Sequence, residues 1–256
     1  MITNLMQKVI GYLLAFGAGA GATQLYRMRQ IHDNADVAGS PMSMKSHIMD
    51  KGAAMLGHFA PINSIHQHVC GFHFYSGQLN RQLTAHHYCS HLNEDIRQCV
   101  IYDSDAPNAR LIGVEYIISS KLFSKLTDDE KKLWHSHIHE VKSGELVGIG
   151  LPDSVEKEAM KELISTYGKT FHTWQVDRGD PLPLGIPQLM MGFTADGQVN
   201  PSLVKQRDEH YKISSEQKRI NRTDIPLPEK DVMSDYWMKS NKAIQLDIKE
   251  SKMKIK

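Results

Sequence analysis

Two stretches of the chain alternate polar and apolar side chains with a period of two, and a short turn separates them. Arg81–His91 is the first and Asp95–Asp103 the second, with Leu92–Asp95 placed to close a hairpin. A third stretch, Ala109–Ser119 (ARLIGVEYIIS), is β-branched and apolar and is entered through a turn at Asp105–Asn108. A period of two sends successive side chains to opposite faces, so three such strands in succession predict an antiparallel meander. Other segments fit around it. Ser46–His58 and Ile62–Cys70 read as short helices, and Thr127-Asp-Asp-Glu130 is a capping box opening a helix through about Leu133. Trp134–Val141 alternates again, and Lys142-Ser-Gly144 can turn it into Glu145–Ile149 as a second hairpin. Asp153–Tyr167 is the clearest helix, stopped by Gly168, and Lys169–Asp177 is a further strand. Strands interleaved with a few helices, without a βαβ rhythm, predict an α+β fold: a single compact domain around an antiparallel β-sheet with flanking helices.

The ends differ from this middle. Lys8 precedes the apolar run Val9–Ala22, and Arg27 and Arg29 follow it. The run is shorter than the ~20 residues of a spanning helix and carries small residues at Ala18, Ala20 and Ala22. Three readings stand: an export signal, an uncleaved N-terminal anchor, or a buried helix. Residues 1–29 are therefore set apart as a signal-like or anchor segment and 30–46 as a polar linker. Residues 47–212 form the expected domain, and 213–256 a Lys-rich C-terminal extension. The chain of 256 residues is long enough to bury a core without staples, and its formal net charge of +1 gives no basic field for nucleic acid.

Histidine is the unusual residue. There are 14, with seven between His58 and His91 and three more at His135, His137 and His139. On a strand, His87, Cys89 and His91 share one face, and so do His135, His137 and His139. Two imidazoles at i and i+2 can reach one metal ion through ring nitrogens. The candidate ligands are His87, His91, His135 and His137, with Glu140 or Glu145 as a further source, for a divalent transition metal. Polar positions on a solvated sheet face, or hydrogen-bonded core residues, explain the same pattern. Cys89 and Cys99 flank the first hairpin and can face each other as a disulfide in an oxidising compartment, or stay buried thiols. The chain has no glycine-rich phosphate loop, no G-x-S-x-G elbow, no H-E-x-x-H and no nucleic-acid module.

From Ala85 the text runs AHHYCSHLNEDIRQCVIYDSD, then ARLIGVEYIIS, KKLWHSHIHEVKSG, YGKTFHTWQVDRGDPLPLGIPQLMM and NPSLVKQRD. These strings resemble the oil-body-associated protein family, long carried as a domain of unknown function, and the resemblance spans roughly Gly52 to Tyr211. It implies association with a lipid surface, since plant members associate with seed oil bodies. It brings no reaction, cofactor or catalytic residue to this chain. The N-terminal apolar segment is similar to those of exported bacterial members.

Two functions follow as expectations. The first is a non-catalytic protein of uncharacterised activity at a lipid or membrane surface, delivered to the cell envelope, periplasm or exterior by the N-terminal segment or anchored by it. The second is a metal-dependent enzyme using the histidine cluster.

Overall fold

A computed structural model describes residues 37–254. The signal-like or anchor segment at 1–29 and the first residues of the expected linker lie outside the described residues. The described residues divide into two units: those up to Asn63 together with Ala106–Ala109, and Ser64–Asp105 with Arg110 onward.

The first unit carries α1 (Met44–Leu56) and α2 (Ala60–Asn63). Ser43 caps α1 by accepting from the Ser46 N–H at 3.1 Å. Met44, Met49, Met55 and Leu56 on α1, and Phe59 and Ile62 beyond it, are exposed.

The second unit is built on strands β1 (Gln67–Tyr75), β2 (Gln78–Asn93), β3 (Ile96–Tyr102) and β4 (Leu111–Ser119). The expected meander is β2–β3–β4, with His87 opposite Ile101 and Val100 opposite Val114. The first strand lies where a helix was read at Ile62–Cys70. Its residues alternate between the two faces: Val69, Gly71, His73 and Tyr75 on one, His68, Cys70, Phe72 and Phe74 on the other. After β4 come α3 (Ser120–Phe123), α4 (Asp128–Lys131), β5 (His135–Ser136), α5 (Ile138–Ser143), β6 (Val147–Gly148), α6 (Asp153–Leu163), β7 (Thr166–His172) and β8 (Gln188–Met191). Helices α7 (Pro201–Tyr211), α8 (Ser215–Asn221) and α9 (Tyr236–Ser240) complete the unit.

The sheet is antiparallel, as expected, but it is not open. The order β1–β2–β3–β4–β7–β8 returns to β1 through Phe74↔Met191 and Tyr75↔Met190, which closes a barrel and leaves those strands without a free edge. Strand β8 joins β7 to β1 at one end of the seam. At the other end β5 pairs with β7 and β6 pairs with β1.

Two expected elements give way at that seam. Trp134–Val141 is not one strand, and Lys142–Gly144 does not make a hairpin. Only His135–Ser136 is extended; α5 follows and ends at Gly144, which has φ +80°. A Cβ at Gly144 would overlap the Ser215 carbonyl, so glycine is needed on two counts. Likewise α6 stops at Leu163 and Gly168 lies inside β7 rather than ending a helix.

The barrel interior has three layers. Tyr75, Leu83, Ala85, Ile101, Ile112 and Met190 form an apolar layer at one end. Cys89, Cys99, Ile117, Leu146, Met160 and Leu163 form another. Between them lies a buried polar layer that includes His73, His87, Glu115, His135, Thr170 and His172. Phe72, Phe74, Leu189, Met191 and Phe193 pack on the outer face under Leu203, Val204 and Trp237. Residues beyond 212 contribute to this unit: Ile225 joins the core around Cys89, and Asp235 is fully buried.

Cys89 faces Cys99 across β2–β3 with Cα atoms 4.1 Å apart, and the two are joined as a disulfide. A short closed loop of this size lowers the entropy of the unfolded chain by roughly 2–3 kcal/mol. Replacing both cysteines by serine is expected to lower the unfolding free energy by about that amount in non-reducing denaturant titrations, and excess reductant should abolish the difference. Equal stability without reductant would show that the bridge contributes nothing.

Candidate functional site

The site begins with one carboxylate. Glu115 sits at the middle of β4, paired with Cys99 on β3 and Thr170 on β7, and its side chain points into the barrel. An ionised carboxylate in such a place costs several kcal/mol unless charge or ligands compensate it. Its ion-pair partners are all imidazoles. His87 Nε2 lies 2.8 Å and His73 Nε2 3.9 Å from Oε2, and His137 Nε2 lies 3.3 Å and His135 Nε2 3.5 Å from Oε1.

The outer nitrogens of these rings decide what the inner ones offer. His87 Nδ1 faces the Val69 carbonyl at 3.3 Å, and a carbonyl only accepts, so Nδ1 carries the proton. His137 Nδ1 lies 2.8 Å from Thr166 Oγ1, whose own proton goes to the Leu163 carbonyl at 2.7 Å. Nδ1 of His137 therefore donates as well. With Nδ1 donating outward, Nε2 of each ring faces a carboxylate oxygen, and it meets that oxygen either as a donor carrying a proton or as a lone pair that a cation must bridge. His73 Nδ1 contacts His172 Nε2 at 3.2 Å. Outer nitrogens held in this way are what orients imidazoles toward a metal.

Space is made for this layer by glycine. A Cβ at Gly168 would overlap Glu115 Oε1 and come 2.8 Å from His135 Nε2. One at Gly192 would come 2.8 Å from Glu140 Oε2 and 2.9 Å from His135 Cδ2, so Glu140 and His135 lie side by side there. Glu140 is buried, and its Oε2 has no hydrogen-bond partner. A cavity of about 20 Å³ opens among His73, His87, Glu115, His135, His137 and Glu140, enough for roughly one water. Val69, Ile117, Leu146 and Leu163 line its apolar side.

Protonation follows from burial. Desolvation lowers His135 to about 4 and His172 to about 3, and pushes His73 well below the usual imidazole range. Burial alone would raise Glu115, but hydrogen bonds to His137 and His87, and then the electrostatic influence of His87 and His135, hold it well below the usual carboxylate range. Glu140 goes well above that range through burial, then through the charges of Glu115 and Glu145.

Of the residues singled out in the sequence, His87, His135 and His137 converge on Glu115 and His91 does not. His91 shares the facing of His87 and Cys89, but β2 runs past the barrel wall there and its register shifts between His91 and Asn93. It is exposed, contacts His66 Nε2 at 3.2 Å, and accepts from Arg97 Nε at 2.5 Å. His139 leaves the expected set of three because α5 begins at Ile138 and turns it away; it lies 3.6 Å from Glu145 Oε1. Glu145 makes no ion pair with Glu115's imidazoles. His73 and Glu115 were missed. The signals were present: a lone carboxylate inside the apolar strand ARLIGVEYIIS, and the alternation of HVCGFHFY.

Comparison with known proteins gives the family. A family model described as a protein of unknown function, DUF1264, matches residues 59–226. Oil body-associated protein 1B of Arabidopsis thaliana is 47% identical over 193 residues, covering 75% of this chain and 80% of the relative. Oil body-associated protein 2A of Zea mays is 43% identical over 220 residues, covering 84% and 87%. The chain belongs to the oil body-associated protein family. Oil body-associated protein 2B of Arabidopsis thaliana extends the match to 225 residues at 42% identity, 87% of this chain and 91% of the relative. No solved structure gives a significant match. In this family member the histidines and carboxylates of the barrel centre all fall within the matched 59–226 segment.

The depressed imidazoles set the acid response of the metal-free protein. Folded pKa values below the unfolded value of about 6.5 mean that the unfolded chain binds more protons as pH falls. The stability these rings contribute is present near neutrality and is lost as pH falls toward about 4 for His135 and His86, whose pKa burial also lowers to about 4. Glu140 acts in the opposite sense above the ordinary carboxylate value, one group against His73, His86, His135 and His172. Urea unfolding of metal-free protein is expected to show stability falling from about pH 7 to about pH 5, by up to about 1.4 kcal/mol per pH unit for each net group. Flat or rising stability over that window would contradict it.

Proposed function

We propose that this protein is a metal-binding member of the oil body-associated family whose barrel centre takes a divalent transition metal. The observation that carries the reading is the meeting of these rings on one carboxylate. With Nδ1 of His87 and His137 donating outward, each Nε2 faces a Glu115 oxygen, at 2.8 and 3.3 Å, and such a pair attracts only when a proton or a metal ion lies between the two atoms. Protons could fill that place, but one on each ring would bury two imidazoliums against one ionised carboxylate. A metal ion uses the lone pairs of neutral rings. The ligands in this reading are Glu115 with His73, His87, His135 and His137. His91, at the exposed end of β2, takes no part. Imidazole with carboxylate suits zinc, iron, manganese or nickel. The cavity beside the ligands admits little beyond a water, which favours a structural or small-ligand role over chemistry on a large substrate.

Elemental analysis of the full chain purified without chelator tests this. Bound transition metal is expected, with Glu115→Gln losing at least about tenfold in metal affinity. Protein that stays metal-free after supplemented expression, with unchanged thermal stability on adding each ion, would remove the reading.

A second reading, association with a lipid surface, is favoured by a separate observation. Helix α1 exposes Met44, Met49, Met55 and Leu56, an apolar stripe on a short helix, and the relatives carry oil bodies in their names. In this reading the run Val9–Ala22 delivers the chain to the cell envelope, an oxidising setting in which the Cys89–Cys99 disulfide persists. A chain starting at Val37 should float with neutral phospholipid vesicles, and Met49→Asp with Leu56→Asp should cut its partitioning at least about tenfold. Equal flotation of the two would count against α1 as the contact.

A further inference from the structure

Resting on the metal reading above, we propose that the barrel centre holds two divalent ions, with the Glu115 carboxylate bridging them. The ligands divide into two sets, His73–His87–Glu115 and Glu115–His135–His137, and within each set the ligand atoms lie within 4.8 Å of one another. Glu115 belongs to both. Its two oxygens are shared out in the same way: Oε2 faces His73 and His87, and Oε1 faces His135 and His137. Each oxygen with its two imidazole nitrogens makes three corners of a coordination tetrahedron. Metal–ligand bonds of about 2.0–2.1 Å give such a tetrahedron an edge of about 3.3–3.4 Å. The observed edges at Oε1 are 3.3 and 3.5 Å, and those at Oε2, 2.8 and 3.9 Å, straddle the same length. A carboxylate bound through both oxygens sets two ions apart by the roughly 3.5–4 Å of two-metal sites.

A second carboxyl and a water-sized space lie beside the two sets. Glu140 is a second buried carboxyl beside His135, with Oε2 free of hydrogen bonds. The cavity of about 20 Å³ holds one water-sized ligand among both histidine pairs. Glu115, an ionised Glu140 and a bridging hydroxide would offset three of the four positive charges of two divalent ions, which a single ion would not require. The structural cost of the arrangement is visible in β7 and after β8, where Gly168 and Gly192 stand at positions that leave the carboxylates room.

The full chain loaded with Mn(II) tests this by metal count and by electron paramagnetic resonance on the same samples. About two ions per chain are expected, with the multiline spectrum of an exchange-coupled pair. His73→Gln and His135→Gln should each retain about one ion and show an uncoupled signal. One ion per chain with an uncoupled spectrum in the wild-type protein would overturn the bridged pair and leave the metal reading standing. No bound ion would overturn both. The wild-type count and spectrum decide the matter even where a variant fails to fold.

Discussion

The structure depends on keeping one ionised carboxylate inside a closed barrel. Glu115 is removed from water and has no Lys or Arg among its ion-pair partners. The desolvation of such a group outweighs any single neutral hydrogen bond, so the surrounding interior has to be organised around it. That organisation is what the polar layer consists of: four imidazoles aimed inward, two outer nitrogens tied to Val69 and Thr166, and a glycine at 168 where any side chain would collide. The apolar layers on either side keep water out, which sharpens every electrostatic interaction within.

Half of that constellation comes from the seam of the barrel, and the seam is held from outside. Residues 135–148 carry His135, His137 and Glu140 on short elements, two two-residue strands and a six-residue helix. Buried Arg222, from the end of α8, donates to the Val141 and Leu146 carbonyls at 2.7 and 2.9 Å and pairs with Glu156. Buried Arg207 of α7 donates to the Glu145 carbonyl at 2.8 Å. Asp235 accepts from the Ser136 N–H at 2.9 Å and from its hydroxyl at 2.7 Å. The C-terminal third thus fixes the loop that completes the centre, so truncations there act on the site as well as on stability.

The two functional readings occupy different parts of the chain. The buried centre lies wholly within residues 59–226, the part matched by the family model, whereas α1, with its exposed methionines, precedes that part. A metal centre would accordingly be a property of the domain. Attachment to lipid through α1 would rest on a segment that lies outside the family model but inside the match to oil body-associated protein 2B of Arabidopsis thaliana, which covers 87% of this chain.

By itself the sequence determined the β2–β3–β4 meander, the Thr127 cap, the α+β class and the family, because these rest on local period, short-range hydrogen bonds and long distinctive strings. It also determined that His87, His135 and His137 were worth attention. It could not show that the sheet closes, because closure is set by pairings between β1 and β8, more than a hundred residues apart in sequence. It misread Ile62–Cys70 as helix and Trp134–Val141 as strand, since a short mixed run fits either period until tertiary contacts choose. Only the closed barrel decided which histidines meet. A period of two gives His87 and His91 the same facing, but one lies over the buried Glu115 and the other beyond the wall, where solvent and Arg97 satisfy it. Glu115 itself, one acidic letter in an apolar strand, became the centre of the site because six strands curl around it and leave its charge to the imidazoles.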